Sequence, residues 1–393
     1  VKYLGHANDR DTRRIAEGLN GVIGDSVDQH MALARGTQAE EWVVEGDYTF
    51  AYADRAAFEK DSYVWTLRRE GGFVPETIEG AAVHDYQDCF GDNVGCLAVM
   101  KNHGFIRDPG GYVAALAKEF EALGGTFRTA DVKDFTLTDG KVSAVQTTTG
   151  EIACDQVVLT TGVWSKPLMK KLGITVPIET ERGYHIVFEN ATGGPSVPVM
   201  VASGKFVATP MAQGVRCAGV VEFGGLDAGP SRAPFELLRR QVAQTFPRLQ
   251  ATDEIEWQGH RPAPTDSLPL IGEVGSTGVY AAFGHHHVGL TGGAKDGELV
   301  EAETAGPKHR MGLPKARIVE RLGDPSAPRA VSLIAIHHHG IPDAFPDKVI
   351  AEADAMKPAG MKGREDMRDM PLVTIDPADA RDHDDAVWAY RAE

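Results

Sequence analysis

A chain of 393 residues and 42.3 kDa that is 42% hydrophobic has apolar material for two or three packed domains, which excludes general disorder. The formal charge is −16, and acidic residues outnumber basic ones both before and after residue 296, which argues against a standalone nucleic-acid binder. No run approaches the ~18 apolar residues of a membrane span, and no apolar signal-peptide core follows Val1. Cys89, Cys96, Cys154 and Cys217 form no C-x-x-C and no disulfide framework, so a reducing cytoplasm fits best. A start at Val reads as the start of a fragment.

Ile15, Leu19, Val22, Ile23, Val27 and Met31 recur at helical spacing and predict helix across 10–45, packed on a core. Residues 46–100 are mixed, with a strand at Tyr48–Tyr52 and a helix around 54–70. Asp108 is a good N-cap and Pro109 suits the first helical turn. Tyr112, Val113, Leu116, Ala117, Phe120 and Leu123 form the apolar stripe, and Gly124-Gly125 ends the helix. Strands are expected at 126–129, 133–137 and 142–147, with Asp139-Gly140 as the tight turn. The apolar run from Asp155 to Gly162 reads as a buried strand ending in a Gly turn. Further strands at 184–189, 198–202, 205–209 and 215–223 precede a helix over 233–246, and a Gly-, Pro- and His-rich stretch occupies 259–295. A polar break follows at 296–313, then strands at 316–322 and 330–336, a helix at 345–356 and an acidic cluster. No internal repeat and neither G-x-G-x-x-G nor G-x-x-x-x-G-K-[ST] occurs.

Three segments carry chemistry when taken in order. They are Asp155–Ser165 (ending Gly162-Val163-Trp164-Ser165), Glu181-Arg182-Gly183-Tyr184-His185, and Gly259-His260-Arg261-Pro262 running on to Gly284-His285-His286-His287-Val288-Gly289-Leu290-Thr291. In that order and spacing residues 1–295 resemble the FAD-dependent D-amino-acid dehydrogenase/oxidase (DAO) family, nearest its bacterial dehydrogenase branch. The resemblance implies oxidation of a D-amino acid or related amine by hydride transfer to FAD. It places a carboxylate-gripping arginine at Arg261, and a planar guanidinium suits that bidentate task. Tyr184 and His285 become further candidates for substrate contact. Gly162, Trp164, Gly284, His287, Val288, Gly289, Leu290 and Thr291 become candidates for the flavin, because glycines let backbone approach a flat ring. An arginine at 261 also suits packing or an ion pair. The family's opening strand–Gly-rich loop–helix unit, which holds the FAD diphosphate, has no counterpart here. Three consecutive histidines on a strand alternate sides, which argues against a metal at 285–287.

The tail follows a second pattern. Asp376, Asp382, Asp384 and Asp385 are spaced D-x5-D-x-D-D, and carboxylates so crowded repel one another unless a divalent cation sits among them. A solvated acidic loop is the plainer alternative. With the strands before it, this stretch resembles the first catalytic motif of the ribonuclease R/ribonuclease II exoribonucleases. That resemblance implies Mg²⁺ on those four aspartates and single-stranded RNA as partner.

The expected architecture is therefore α/β (α+β). It comprises an incomplete FAD-binding three-layer domain with an antiparallel-sheet substrate domain, a partial cold-shock-type β-barrel and the start of a ribonuclease catalytic domain. The boundaries are 1–107 (helical and substrate-domain part), 108–175 (middle of the FAD domain), 176–258 (substrate domain), 259–296 (end of the FAD domain), 297–345 (barrel) and 346–393 (ribonuclease start). The leading expectation is a truncated FAD-dependent oxidoreductase acting on an amino acid or amine. The alternatives are a Mg²⁺-dependent exoribonuclease fragment and an inactive fusion. Relatives in the dehydrogenase branch can associate with the inner membrane, and although no anchor is readable in this sequence, the resemblance sets a peripheral location beside a cytoplasmic one.

Overall fold

The computed structural model describes residues 3–294, 299–305, 315–323, 347–356 and 362–363. The chain divides into two compact units, Val1–Ala327 and Pro328–Glu393. Among the described residues of the second, one helix is assigned, α10 (Asp347–Ala355). The first unit holds all the other elements.

The predicted long N-terminal helix is two helices. In α1 (Asp9–Ile23) the Asn8 side chain accepts the Asp11 N–H, one of the orphan donors of a helix start. The chain breaks at Gly24, and α2 (Ser26–Ala34) stops before Arg35 turns extended and Gly36 takes a left-handed φ of 75°. Then come β1 (Val43–Tyr52), α3 (Arg55–Lys60), α4 (Ser62–Glu70), β2 (Glu76–Glu79), α5 (Ala82–Tyr86) and β3 (Cys96–Ile106). Asp108 caps α6 (Pro109–Ala122) as expected, accepting from the N–H groups of Gly110 and Gly111.

No strand forms at 126–129. The meander starts with β4 (Val132–Thr138) and turns at Asp139-Gly140, both at positive φ, which matches the right-handed twist of a hairpin. It continues through β5 (Lys141–Thr147) and β6 (Gly150–Ala153). The buried run yields β7 (Val157–Leu159), followed by α7 (Ser165–Lys171). Next are β8 (Ile178–Glu189), β9 (Val199–Val201), β10 (Phe206–Met211), β11 (Gly214–Glu222), α8 (Arg232–Thr245), β12 (Asp253–Pro264), β13 (Leu270–Glu273), β14 (Val279–Phe283) and α9 (Gly289–Gly292). A last pair, β15 (Leu299–Ala305) and β16 (Lys315–Gly323), runs antiparallel.

One eight-stranded sheet dominates, in the order β12-β8-β11-β10-β9-β1-β3-β2. Every pairing in it is antiparallel except β1 with β9. Side chains alternate between its faces. On one face Tyr184, Ile186, Val215, Cys217, Phe206 and Val199 pack against Phe235, Leu238, Val242 and Phe246, the apolar stripe of α8. The other face runs along a cross-strand row Phe50–Met200–Val207–Ala218–His185–Trp257. At the Phe50 end α3 and α4 cover that face, with Trp65 edge-on to Phe50 at 5.0 Å between ring centroids. The His185 end bears charge.

A second, smaller sheet, β13-β14-β7, contains a parallel pair of β14 with β7. Leu159, Val279, Ala281 and Phe283 pack there against Leu168 and Met169 of α7. The result is a mixed α/β architecture, as expected. All four cysteines are unpaired thiols. No described helix is long and apolar enough to cross a membrane. The expected strand at 330–336 and the acidic tail lie outside the described residues.

Leu238 is 1% exposed at the centre of the α8 contact. Leu238→Ala leaves a cavity there and is expected to destabilise the fold by about 2–5 kcal/mol. The check is a fall in the urea midpoint at unchanged slope.

Candidate functional site

The charged end of the large sheet is built by register. On β12, Arg261 stands opposite Glu181 of β8, Gly259 opposite Gly183, and Trp257 opposite His185. On β11, Ala218 stands opposite His185 and Arg216 opposite Val187. Directly opposed residues share a face, so Glu181, His185, Arg216, Trp257 and Arg261 all rise from the same side. Two glycines make room: a Cβ on Gly183 would overlap the Arg261 guanidinium, and one on Gly259 would overlap the Trp257 indole. The indole stacks on the His185 imidazole at 4.7 Å and 17°.

The protonation of His185 follows from its neighbours. Arginine has only donors, so the 3.3 Å contact from Arg216 Nη2 requires a lone pair on His185 Nδ1. Burial, with the charges of Arg216 and Arg261 adding to it, holds the His185 pKa down at about 4. The ring is neutral at pH 7. Burial also lowers the pKa of both Arg216 and Arg261. Arg261 Nη1 is buried and makes no hydrogen bond among the described residues.

A loop closes one side of this cluster. After β14 the chain passes Gly284 at φ 84° and His286 at φ 51°. The His286 N–H donates to the Pro262 carbonyl at 3.1 Å. The left-handed turn at His286 defeats the alternation expected of a strand. His286 Nε2 and His287 Nε2 both reach Glu181 Oε2, at 2.8 and 3.2 Å. The turn thus brings two of the three histidines, but not all three, to one carboxylate. Their ligand atoms and that of Glu181 lie within 4.8 Å of one another. Burial alone would raise the Glu181 pKa, but hydrogen bonds and charge from His286 and His287 outweigh it and hold it at about 2. The loop is also held from α2, where buried His30 Nε2 donates to the Leu290 carbonyl at 2.8 Å and Nδ1 meets the Tyr112 hydroxyl at 2.8 Å. His30 was not singled out in the sequence. Its signal there is a polar residue within the apolar repeat around Val27 and Met31.

The remaining predicted residues gather at the ends of two strands. Gly162, at φ 58° with open space where a Cβ would stand, follows β7. Trp164 is half exposed and edge-on to His260 at 6.0 Å. Gly284, His285, His287, Val288, Gly289, Leu290 and Thr291 follow β14, the parallel neighbour of β7. The two groups thus share the carboxyl edge of one parallel pair, where open α/β sheets form their ligand crevices. Tyr184 is not among them. It faces α8, fully buried, with its hydroxyl donating to Glu222 at 2.6 Å and accepting from the Ser231 N–H at 3.1 Å. Arg182 shares that face, donating to the Tyr184 hydroxyl and the Gly229 carbonyl. An odd–even step on β8 separates Tyr184 from Arg261, so it is not brought to the cluster. Asp376, Asp382, Asp384 and Asp385 lie outside the described residues.

Comparison with known proteins matches this chain to a family. The pattern of the FAD dependent oxidoreductases (DAO) matches residues 22–301, and a cold shock domain pattern matches 289–346. A D-amino-acid oxidase of Bradyrhizobium diazoefficiens is 35% identical over 320 residues, which is 80% of this chain and 76% of that protein. A glycine oxidase of Pseudomonas putida is 33% identical over 162 residues, 40% of this chain and 44% of that one. Among solved structures, L-proline dehydrogenase from P. horikoshii superposes with a TM-score of 0.60 at 18% identity, covering 70% of this chain and 76% of its own.

The Glu181 cluster sets a pH dependence. A carboxyl whose pKa falls from 4.5 to about 2 on folding adds stability that is fully present above 4.5 and lost as pH drops toward 2. Glu181→Gln is expected to remove that part of the acid dependence, so the gap in stability between wild type and variant narrows from pH 5 to pH 2. Urea melts across that range give the comparison.

Proposed function

Because the chain belongs to the FAD dependent oxidoreductase family, we propose that it oxidises a D-amino acid or related amine, with Arg261 gripping the substrate carboxylate. One observation carries this reading: the buried Nη1 of Arg261 has no hydrogen-bond partner among the described residues, on a sheet face that it shares with His185, Arg216 and Trp257. A buried polar group without a partner is costly unless a ligand supplies one, and a carboxylate fits a guanidinium fork.

The residues present fit the ring end of FAD. Gly162 after β7 offers open backbone, and the N–H groups of Gly289 to Thr291 start the short helix α9 after β14, the parallel neighbour of β7. The diphosphate end finds no G-x-G-x-x-G turn in this sequence, so the contacts proposed are those of Gly162, Trp164, Gly284 and His287 to Thr291 with the ring. A bound flavin would supply the acceptor for a hydride from the substrate α-carbon. The chain's own groups do the rest. Arg261 fixes the carboxylate and therefore the direction in which the α-carbon points. Neutral His185 and the indole of Trp257 form a wall that carries no competing negative charge. His285, at the end of β14, is proposed as a further substrate contact. The hydroxyl of Tyr184 is occupied on the far face and is not carried forward. In domain terms, 108–175 and 259–296 make the flavin side, and 1–107 with 176–258 the substrate side.

A second reading concerns the tail. The cold shock domain match and the D-x5-D-x-D-D spacing support a ribonuclease-like segment with Mg²⁺ on Asp376, Asp382, Asp384 and Asp385. Mg²⁺-dependent trimming of single-stranded RNA that Asp384→Asn abolishes is the result it requires.

For the leading reading, the purified chain is titrated with FAD and then mixed anaerobically with D-amino acids. Quenching of flavin fluorescence followed by bleaching of its absorbance is expected. Arg261→Ala is expected to lower kcat/KM by about 2–5 kcal/mol, at least about 30-fold, with FAD binding unchanged. Bleaching by no D-amino acid, or an Arg261→Ala variant as active as wild type, overturns it.

A further inference from the structure

The charged face holds a second guanidinium that the grip on one carboxylate leaves unused. Arg216 is half buried or more, and its polar contact among the described residues goes to a neutral ring, His185 Nδ1 at 3.3 Å. No carboxylate lies within ion-pair distance of Arg216 or Arg261 among the described residues. Glu181 acts on Arg261 only from beyond that distance, and its oxygen is held by His286 and His287. The two guanidiniums sense each other and together depress His185, so the cluster is net positive and desolvated. Buried charges are normally paired. Here two like charges share one sheet face with no counter-charge between them.

Their spacing is set by β8. The Arg261 guanidinium lies over Gly183, and Arg216 reaches the ring of His185, two residues further on the same face. That repeat is about 7 Å. From this geometry we propose that the substrate is an acidic α-amino acid whose α-carboxylate lies on Arg261 and whose side-chain carboxylate lies on Arg216. Aspartate and glutamate hold their carboxyl groups at a separation that bridges two such guanidiniums. The Trp257 and His185 rings flank the carbons between them. An amide in place of the second carboxylate would set its NH₂ donors against those of Arg216, and both groups would be left unpaired in a dry site. Arg216 is thus a specificity-determining residue.

The inference rests on the oxidoreductase reading for which carboxylate meets Arg261, and the test separates the two. With the FAD-loaded chain, kcat/KM for D-aspartate is expected to exceed that for its isostere D-asparagine by about 100-fold, with D-glutamate likewise above D-glutamine. Arg216→Gln is expected to reduce that ratio toward one. Arg216→Lys keeps the charge and is expected to retain part of it, which guards against a variant that merely misfolds. The second readout needs no turnover: succinate is expected to raise the melting temperature more than butyrate at equal ionic strength, and Arg216→Gln to abolish the difference. Oxidation of D-asparagine as efficient as that of D-aspartate overturns this inference and leaves the oxidoreductase reading standing. A succinate effect without oxidation of any amino acid upholds the two-carboxylate site and overturns the oxidoreductase reading. No succinate effect in wild type removes the site.

Discussion

Strand β8 is the constraint on which the rest depends, because it is hydrogen-bonded on both edges and each of its residues must choose a side. Twelve residues, Ile178–Glu189, pair with β12 along their whole length and with β11 along much of it. Alternation then sends Tyr184, Ile186 and Phe188 into the layer under α8 and Glu181 and His185 to the opposite face. A slip of one residue would bury the charges under α8 and expose the aromatic core. The apolar packing under α8 therefore fixes the register, and the register delivers the site. The bulge in β11 between Ala218 and Val221 lets Glu222 pair opposite Arg182 while Arg216 remains on the face of His185.

The electrostatics follow from how few anions that face contains. Glu181 is spent on two imidazoles that a left-handed His286 turns toward it. Those contacts fasten the loop after β14 to the large sheet, while His30 fastens its far end to α2. What remains is a positive, partly desolvated surface with a neutral histidine in its middle. Such a surface is unfavourable in an empty protein and favourable around an anionic ligand. This is the usual relation between local instability and a binding role.

The rigid parts of the site come from sheets, and the adaptable parts from turns. Arg216, Arg261, His185 and Trp257 all stand on strands, so their spacing is that of the sheet itself. Gly162 and Gly284 stand in turns, and Gly289 to Thr291 in the short helix α9, at the carboxyl edge of β7 and β14. The division suits a chemistry that needs one fixed substrate direction and close backbone contact to a cofactor.

Local signals in the sequence were sufficient wherever physics acts over a few residues. Asp108 before Pro109 marked a helix start, Asp139-Gly140 marked a hairpin, and the α8 stripe marked a buried helix. Strand β3 was missed because Cys96 to Met100 is apolar without a break and shows no period of two. Strand β12 was missed because charged and exposed residues at its start and a Gly- and Pro-rich end disguise it. Only the tertiary structure decided that Tyr184 and His185 part company, that Arg216 joins Arg261, and that Glu181 meets His286 and His287. Each of these depends on cross-strand register between segments from about 30 to over 100 residues apart, or on one backbone angle at His286. A hydrogen-bonded ladder transmits such information through space, and local composition carries none of it.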